Sequence, residues 1–141
     1  MSFAQRFVDA GWNVHITDVV PEVEDMGATT FGDAFGKTVT FSTDMKKAAE
    51  GVNFVQESGP EKIEIKRQMF ADLATATDDG VLLASSSSAL RPSKIAEGNP
   101  AADRIIIGHP FTPPSIMPVL EIVPGPETSQ EVVDKALAVY T

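Results

Sequence analysis

Short apolar runs that close on polar residues recur along this chain, separated by segments whose apolar positions return every three or four residues. That alternation leaves few architectures open. Strands buried on both faces need helices to cover them, and a strand–helix grammar with short connections gives a mostly parallel sheet with helices on both faces. Val81 to Ala84 is the plainest such run, with a second from Arg104 to Gly108.

The remaining elements fit the same grammar. Phe3, Ala4, Phe7 and Val8 share a helical face ahead of Gly11, predicting a helix over 2–10 with a glycine cap. Trp12 to Asp18 reads as a strand with Asp18 at its C-terminal edge. Residues 21–36 are polar, hold Gly27, Gly32 and Gly36, and show no clear period, so they read as loop or weak helix. Thr38 to Ser42 is a strand, Thr43 or Asp44 caps a helix over 45–50 that ends at Gly51, and Val52 to Glu57 is a further strand. A helix over 61–76 follows Pro60, a helical turn starts near Pro92, and Ser129 caps a last helix that runs to Tyr140. Between the strands at 104–108 and 119–123 lies the proline-rich segment HPFTPPSIMP.

With 141 residues the chain can bury one ordinary core, and one compact unit is expected. Its net charge of −9 and scattered basic residues repel phosphate backbones and anionic membranes, so neither nucleic acid nor a membrane is an expected partner. There is no cysteine, which excludes disulfides, thiolate metal sites and a Cys nucleophile. No stretch is apolar enough to span a bilayer, and a cytoplasmic setting is expected.

In open α/β sheets ligands gather beyond the carboxyl ends of the strands. Four such ends are polar here: Asp18, Glu57 to Glu61, Ser85 to Ser88, and His109. A carboxylate at the Asp18 position accepts from the ribose hydroxyls of a dinucleotide and repels a 2′-phosphate, which favours NAD over NADP. His109 and Glu121 stand twelve residues apart on successive strands, and Pro110, Pro113, Pro114 and Pro118 keep the return between them from coiling into a helix. Imidazole titrates near neutrality, so His109 suits a general base for alcohol oxidation, with Glu121 orienting the ring. Taken alone, the same residues also fit a turn histidine and a solvated edge-strand carboxylate.

The stretches VNFVQESGPEKIEIK (52–66), LLASSSSAL (82–90) and IIIGHPFTPPSIMPVLEIVPG (105–125) resemble, in order and spacing, the NAD-binding domain of 3-hydroxyacyl-CoA dehydrogenases. The carnitine dehydrogenase and lambda-crystallin (L-gulonate 3-dehydrogenase) branch looks closest. The resemblance implies a Rossmann-like fold, NAD as cofactor, and hydride transfer between NAD and a 3-hydroxy substrate, either a 3-hydroxyacyl-CoA or a small compound of the carnitine or gulonate kind. It makes His109 the catalytic base, Glu121 its partner, and Ser88 a catalytic and substrate-binding hydroxyl that also lies near the nicotinamide. Asp18 matches the acid on the adenosine ribose, Glu61 and Lys66 match positions on the nicotinamide side of the cofactor, and no metal is implied.

Three departures qualify the match. Thr112, a candidate for cofactor and substrate contact, stands where the family usually has Asn, and a hydroxyl lacks the amide's donor geometry. Residues 19–37 are shorter than the family's helical insertion, which leaves coenzyme A binding open. The family's first strand, its glycine-rich loop and its all-helical C-terminal domain have no counterpart in the sequence. Residues 1–141 are therefore expected to be an incomplete, fragmentary NAD-binding domain, inactive alone and drawn from a homodimeric parent. A non-catalytic, crystallin-like module that retains the fold is the alternative.

Overall fold

The computed structural model describes residues 2–111, 117 and 119–141. They group into two compact units, Met1–Glu50 and Gly51–Thr141, each with its own sheet.

The first unit follows helix–strand order: α1 (Ser2–Asp9), β1 (Val14–Thr17), α2 (Val23–Phe31), β2 (Val39–Ser42) and α3 (Met45–Ala48). Strands β1 and β2 pair in parallel, Val14 opposite Val39 and Thr17 opposite Ser42. The cap expected for α3 is present, because the Asp44 carboxylate accepts from the amides of Lys46 and Lys47. Such a cap stabilises a short helix by about 1 kcal/mol. The stretch read as loop or weak helix contains α2. Its aperiodic glycines concealed a packing reason, since a side chain at Gly27 would run into the Phe35 ring.

The second unit contains β3 (Phe54–Glu57), α4 (Ile63–Ala76), β4 (Leu82–Ser85), α5 (Pro92–Ile95), β5 (Ile105–Pro110), β6 (Leu120–Pro124) and α6 (Gln130–Tyr140). The sheet order is β3-β4-β5-β6, parallel except for the antiparallel β5–β6 pair. Pro92 sits in the first turn of α5, and the Ser129 hydroxyl accepts from the Val132 amide to cap α6, both as the sequence predicts. Pro60 instead lies ahead of α4, whose cap position is Lys62.

Side-chain alternation gives this sheet two chemically different faces. On one, Leu82, Ala84 and Ile106 pack under Val132 and Ala136 of α6, with Phe54, Ile122 and Tyr140 at the margin. On the other lie Leu83, Ile105 and Ile107, on the side from which α4 sends Lys66 to Glu57 of β3. Each large apolar side chain removed from water in these layers contributes about 1.5–3 kcal/mol.

Candidate functional site

The parity of the β5–β6 ladder decides what its residues present. The Phe111 amide donates to the Val119 carbonyl, so alternate pairs, including His109 with Glu121, direct their backbone groups at each other. Pro110 and Pro124 then fall at positions whose backbone nitrogens face away from the partner strand, where proline forfeits no rung of this ladder.

Because His109 and Glu121 are directly opposed, their side chains leave the sheet on the same face. His109 Nδ1 stands 3.5 Å from Glu121 Oε2, with the imidazole 27% and the carboxylate 58% exposed. That separation is the outer limit of a hydrogen bond. It makes Nδ1 the ring nitrogen on the carboxylate side, an ion-pair contact when the imidazole carries a proton. The Phe111 ring lies 6.0 Å from the imidazole, centroid to centroid.

The four serines at 85–88, of which the first ends β4, are divided by the same alternation. Ser85 is buried and donates to Glu57 Oε2 at 2.6 Å, whereas Ser86 accepts from Gln56 Nε2 at 2.7 Å. Ser87 is buried and donates to Glu61 Oε1, and Ser88 is exposed at the rim. Of the run, Ser88 alone is exposed.

Glu61 organises the loop that carries Ser88. Its Oε1 accepts from the Ser87 hydroxyl and from the amides of Ala89 (3.0 Å) and Leu90 (3.3 Å), while Oε2 lies 3.8 Å from Lys66 Nζ. Partial burial alone would raise the Glu61 carboxyl, but the Ser87 hydroxyl, the two amides and the Lys66 charge together hold it below its usual value. Three donors thus converge on Oε1, while Oε2 is the oxygen that faces Lys66.

Lys66 is 1% exposed, and its ammonium lies 2.8 Å from each oxygen of Glu57, itself 1% exposed. Glu57 Oε1 also accepts from the Gly59 amide. A buried ion pair is tolerable only when such extra hydrogen bonds complete it. The structure thus places Lys66 beneath Glu61 rather than at the surface beside it.

Asp18 follows β1 in the first unit, exposed, with Oδ1 accepting from the Val20 amide at 2.9 Å. Thr112 lies outside the described residues. Among those residues, no group of acids and histidines is arranged to hold a metal, and no helix is long and apolar enough to cross a membrane. A cleft of about 380 Å³, lined by Gly80, Asp103 and Arg104, opens at the starts of β4 and β5, the end of the sheet opposite His109.

Comparison with known proteins settles the family. The family model for the NAD-binding domain of 3-hydroxyacyl-CoA dehydrogenase matches residues 1–141, the whole chain. The chain belongs to this family. Among curated relatives of the 3-hydroxyacyl-CoA dehydrogenase domain is the 3-hydroxyacyl-CoA dehydrogenase of Gibberella moniliformis, 35% identical over 153 residues, covering 99% of this chain and 48% of that protein. The lambda-crystallin homolog of Bos taurus is 33% identical, covering 97% and 48%. L-carnitine dehydrogenase/betainyl-CoA thioesterase of Ruegeria pomeroyi is 32% identical, covering 95% and 30%. The chain therefore spans less than half the length of these relatives.

Solved structures agree on the fold. A (S)-3-hydroxybutyryl-CoA dehydrogenase from Ralstonia eutropha superposes with a TM-score of 0.86 at 22% identity, covering 99% of this chain and 55% of that one. A 3-hydroxybutyryl-CoA dehydrogenase from Escherichia coli gives 0.84 at 24%, covering 99% and 33%. The mostly parallel sheet with helices on its faces, read from the strand–helix alternation, and the Rossmann-like fold implied by the resemblance are the observed architecture.

Proposed function

We propose that this NAD-binding domain serves an oxidoreductase that moves hydride between a small 3-hydroxy substrate and NAD, with His109 as its acid–base residue. The observation that carries this is the His109–Glu121 pair, 3.5 Å apart on directly opposed positions of β5 and β6. Oxidation of an alcohol removes a hydride and a proton; His109 Nε2 takes the proton, and Glu121 stabilises the imidazolium that results. NAD, when bound, supplies the hydride acceptor.

Polar groups at the strand ends of each unit suit parts of such a cofactor. In the first unit the exposed carboxylate of Asp18 is an acceptor for ribose hydroxyls; in the second the Glu61 carboxylate is another, and Ser88 offers an exposed hydroxyl for substrate. Lys66 acts one layer below, fixing Glu61 by its charge. Thr112 completes the proposed set, as a hydroxyl close in sequence to His109 that contacts substrate and cofactor.

The substrate proposed is a 3-hydroxy compound of the carnitine, gulonate or 3-hydroxyacyl-CoA type, and relatives named L-carnitine dehydrogenase and 3-hydroxyacyl-CoA dehydrogenase support the first and the last. We place the parent enzyme in the cytoplasm as a homodimer, without nucleic acid or membrane partners, in keeping with a net charge of −9. The test is NADH formation by the complete protein supplied with NAD and each of the three substrate types. Turnover with one of them that His109→Asn removes is the expected result; turnover unchanged by His109→Asn would overturn the assignment.

A further inference from the structure

A second polar cluster lies on the opposite face of the same sheet, beneath α6. The parallel β4–β5 ladder ends at the Ser85–Ile107 pair. By the parity of the β5–β6 ladder, the Gly108 carbonyl points away from β6, toward the space past the end of β4. A continuing parallel ladder would meet that carbonyl with the Ser87 amide, but this amide turns to the Ser85 hydroxyl at 3.3 Å. The Gln56 side chain takes the position instead, its Nε2 donating to the Gly108 carbonyl at 3.1 Å and to Ser86 Oγ at 2.7 Å.

Orientation of the Gln56 amide follows from elimination. A backbone carbonyl only accepts, so the nitrogen must face Gly108 and the oxygen must face the other way. There the Tyr140 hydroxyl donates to Gln56 Oε1. Tyr140 is held in turn by the Phe54 ring, edge to face at 5.5 Å. Room for the phenol exists because residue 108 has no side chain, since a Cβ there would collide with the Tyr140 hydroxyl.

We infer that Gln56 and Tyr140 are positioning residues for His109. They supply a side-chain rung where the backbone ladder has run out, and so fix the peptide between Gly108 and His109 from the face opposite the imidazole. Gln56 Nε2 anchors the carbonyl that immediately precedes His109, and Tyr140 prevents the amide from turning over. The inference deepens the proposed role of His109 and rests on it for its functional meaning.

The test needs neither cofactor nor substrate. The chain has two histidines, so imidazole ¹⁵N–¹H spectra of the 141-residue protein give one ring for His109 and one, from the first unit, for His15. Tyr140→Phe and Gln56→Leu are expected to shift and broaden the His109 ring signals while those of His15 stay in place. Val133→Ala, which loosens α6 packing without touching the network, should leave His109 unchanged. Tyr140→Phe removes one oxygen and decides the matter if Gln56→Leu fails to fold. His109 signals that superpose on those of the wild type in a folded Tyr140→Phe protein would overturn the inference. So would an equal disturbance from Val133→Ala, which would reveal general loosening. Because the readout is ring environment, a failure here is separable from absence of dehydrogenase turnover.

Discussion

His109 and Glu121 meet because a single register pairs them across β5 and β6, Nδ1 lying 3.5 Å from Oε2. In the complete enzyme, Glu121→Gln is expected to keep the fold while lowering kcat, since the amide no longer balances the imidazolium. His109→Asn should cost roughly a hundred- to ten-thousand-fold, the usual contribution of a positioned acid–base group. Steady-state rates with the NAD affinity measured separately check this; the loss should lie in kcat.

Lys66 and Glu57 form the buried ion pair of the second unit, both 1% exposed. Removing one partner leaves the other without compensation, so Lys66→Met should destabilise by about 3–5 kcal/mol. Glu57→Leu combined with Lys66→Met should recover part of that loss. Urea unfolding of Lys66→Met, Glu57→Leu and the double variant supplies the comparison, and additive losses in the double variant would contradict the pairing.

Gly108→Ala should cost about 1–3 kcal/mol by overpacking against the Tyr140 hydroxyl. Tyr140→Phe removes the nearest obstructing atom but leaves the ring carbons, so the double variant is expected to regain part of the stability lost in Gly108→Ala. Thermal midpoints of the single and double variants measure the coupling.

Burial pushes the Tyr140 phenol above its ordinary value of 10.0. A raised folded value means that the native state holds the proton more tightly, so the associated stability is full below 10 and declines as pH climbs through the folded value. Tyr140 is the sole tyrosine, so phenolate absorbance reports it alone. Its titration is expected to coincide with alkaline unfolding, and Tyr140→Phe should flatten that limb of the stability curve.

The Glu61 carboxyl, held below its ordinary value of 4.5, behaves in the opposite sense. Its contribution is present above that value and disappears as pH falls through the lower folded one. Glu61→Gln should therefore reduce the acid dependence of stability below about 4.5, as measured by urea midpoints across the acid range.

Much of the fold was legible because its strands announce themselves. Val81 to Ala84 and the isoleucines at 105–107 are buried on both faces, and burial of that kind demands an uninterrupted apolar run. Helix α2 could not be told from loop, because Gly27 answers to the ring of Phe35 beyond the helix and so breaks the local pattern. At the site, His109 and Glu121 could be paired from spacing since one return joins their strands. The serine run could only be flagged as a whole: which of its hydroxyls bond inward depends on strand alternation and on carboxylates from another strand end. Gln56 and Tyr140, 84 positions apart, leave no local signature at all.

Strand β6 closes one side of the second sheet, and its outward amides belong to Leu120 and Ile122, with Pro124 next in that series. A docking strand would find two hydrogens and then a ring carbon. On that flank the row of donors open to a further strand is interrupted after two residues, at the proline that the β5–β6 parity places there.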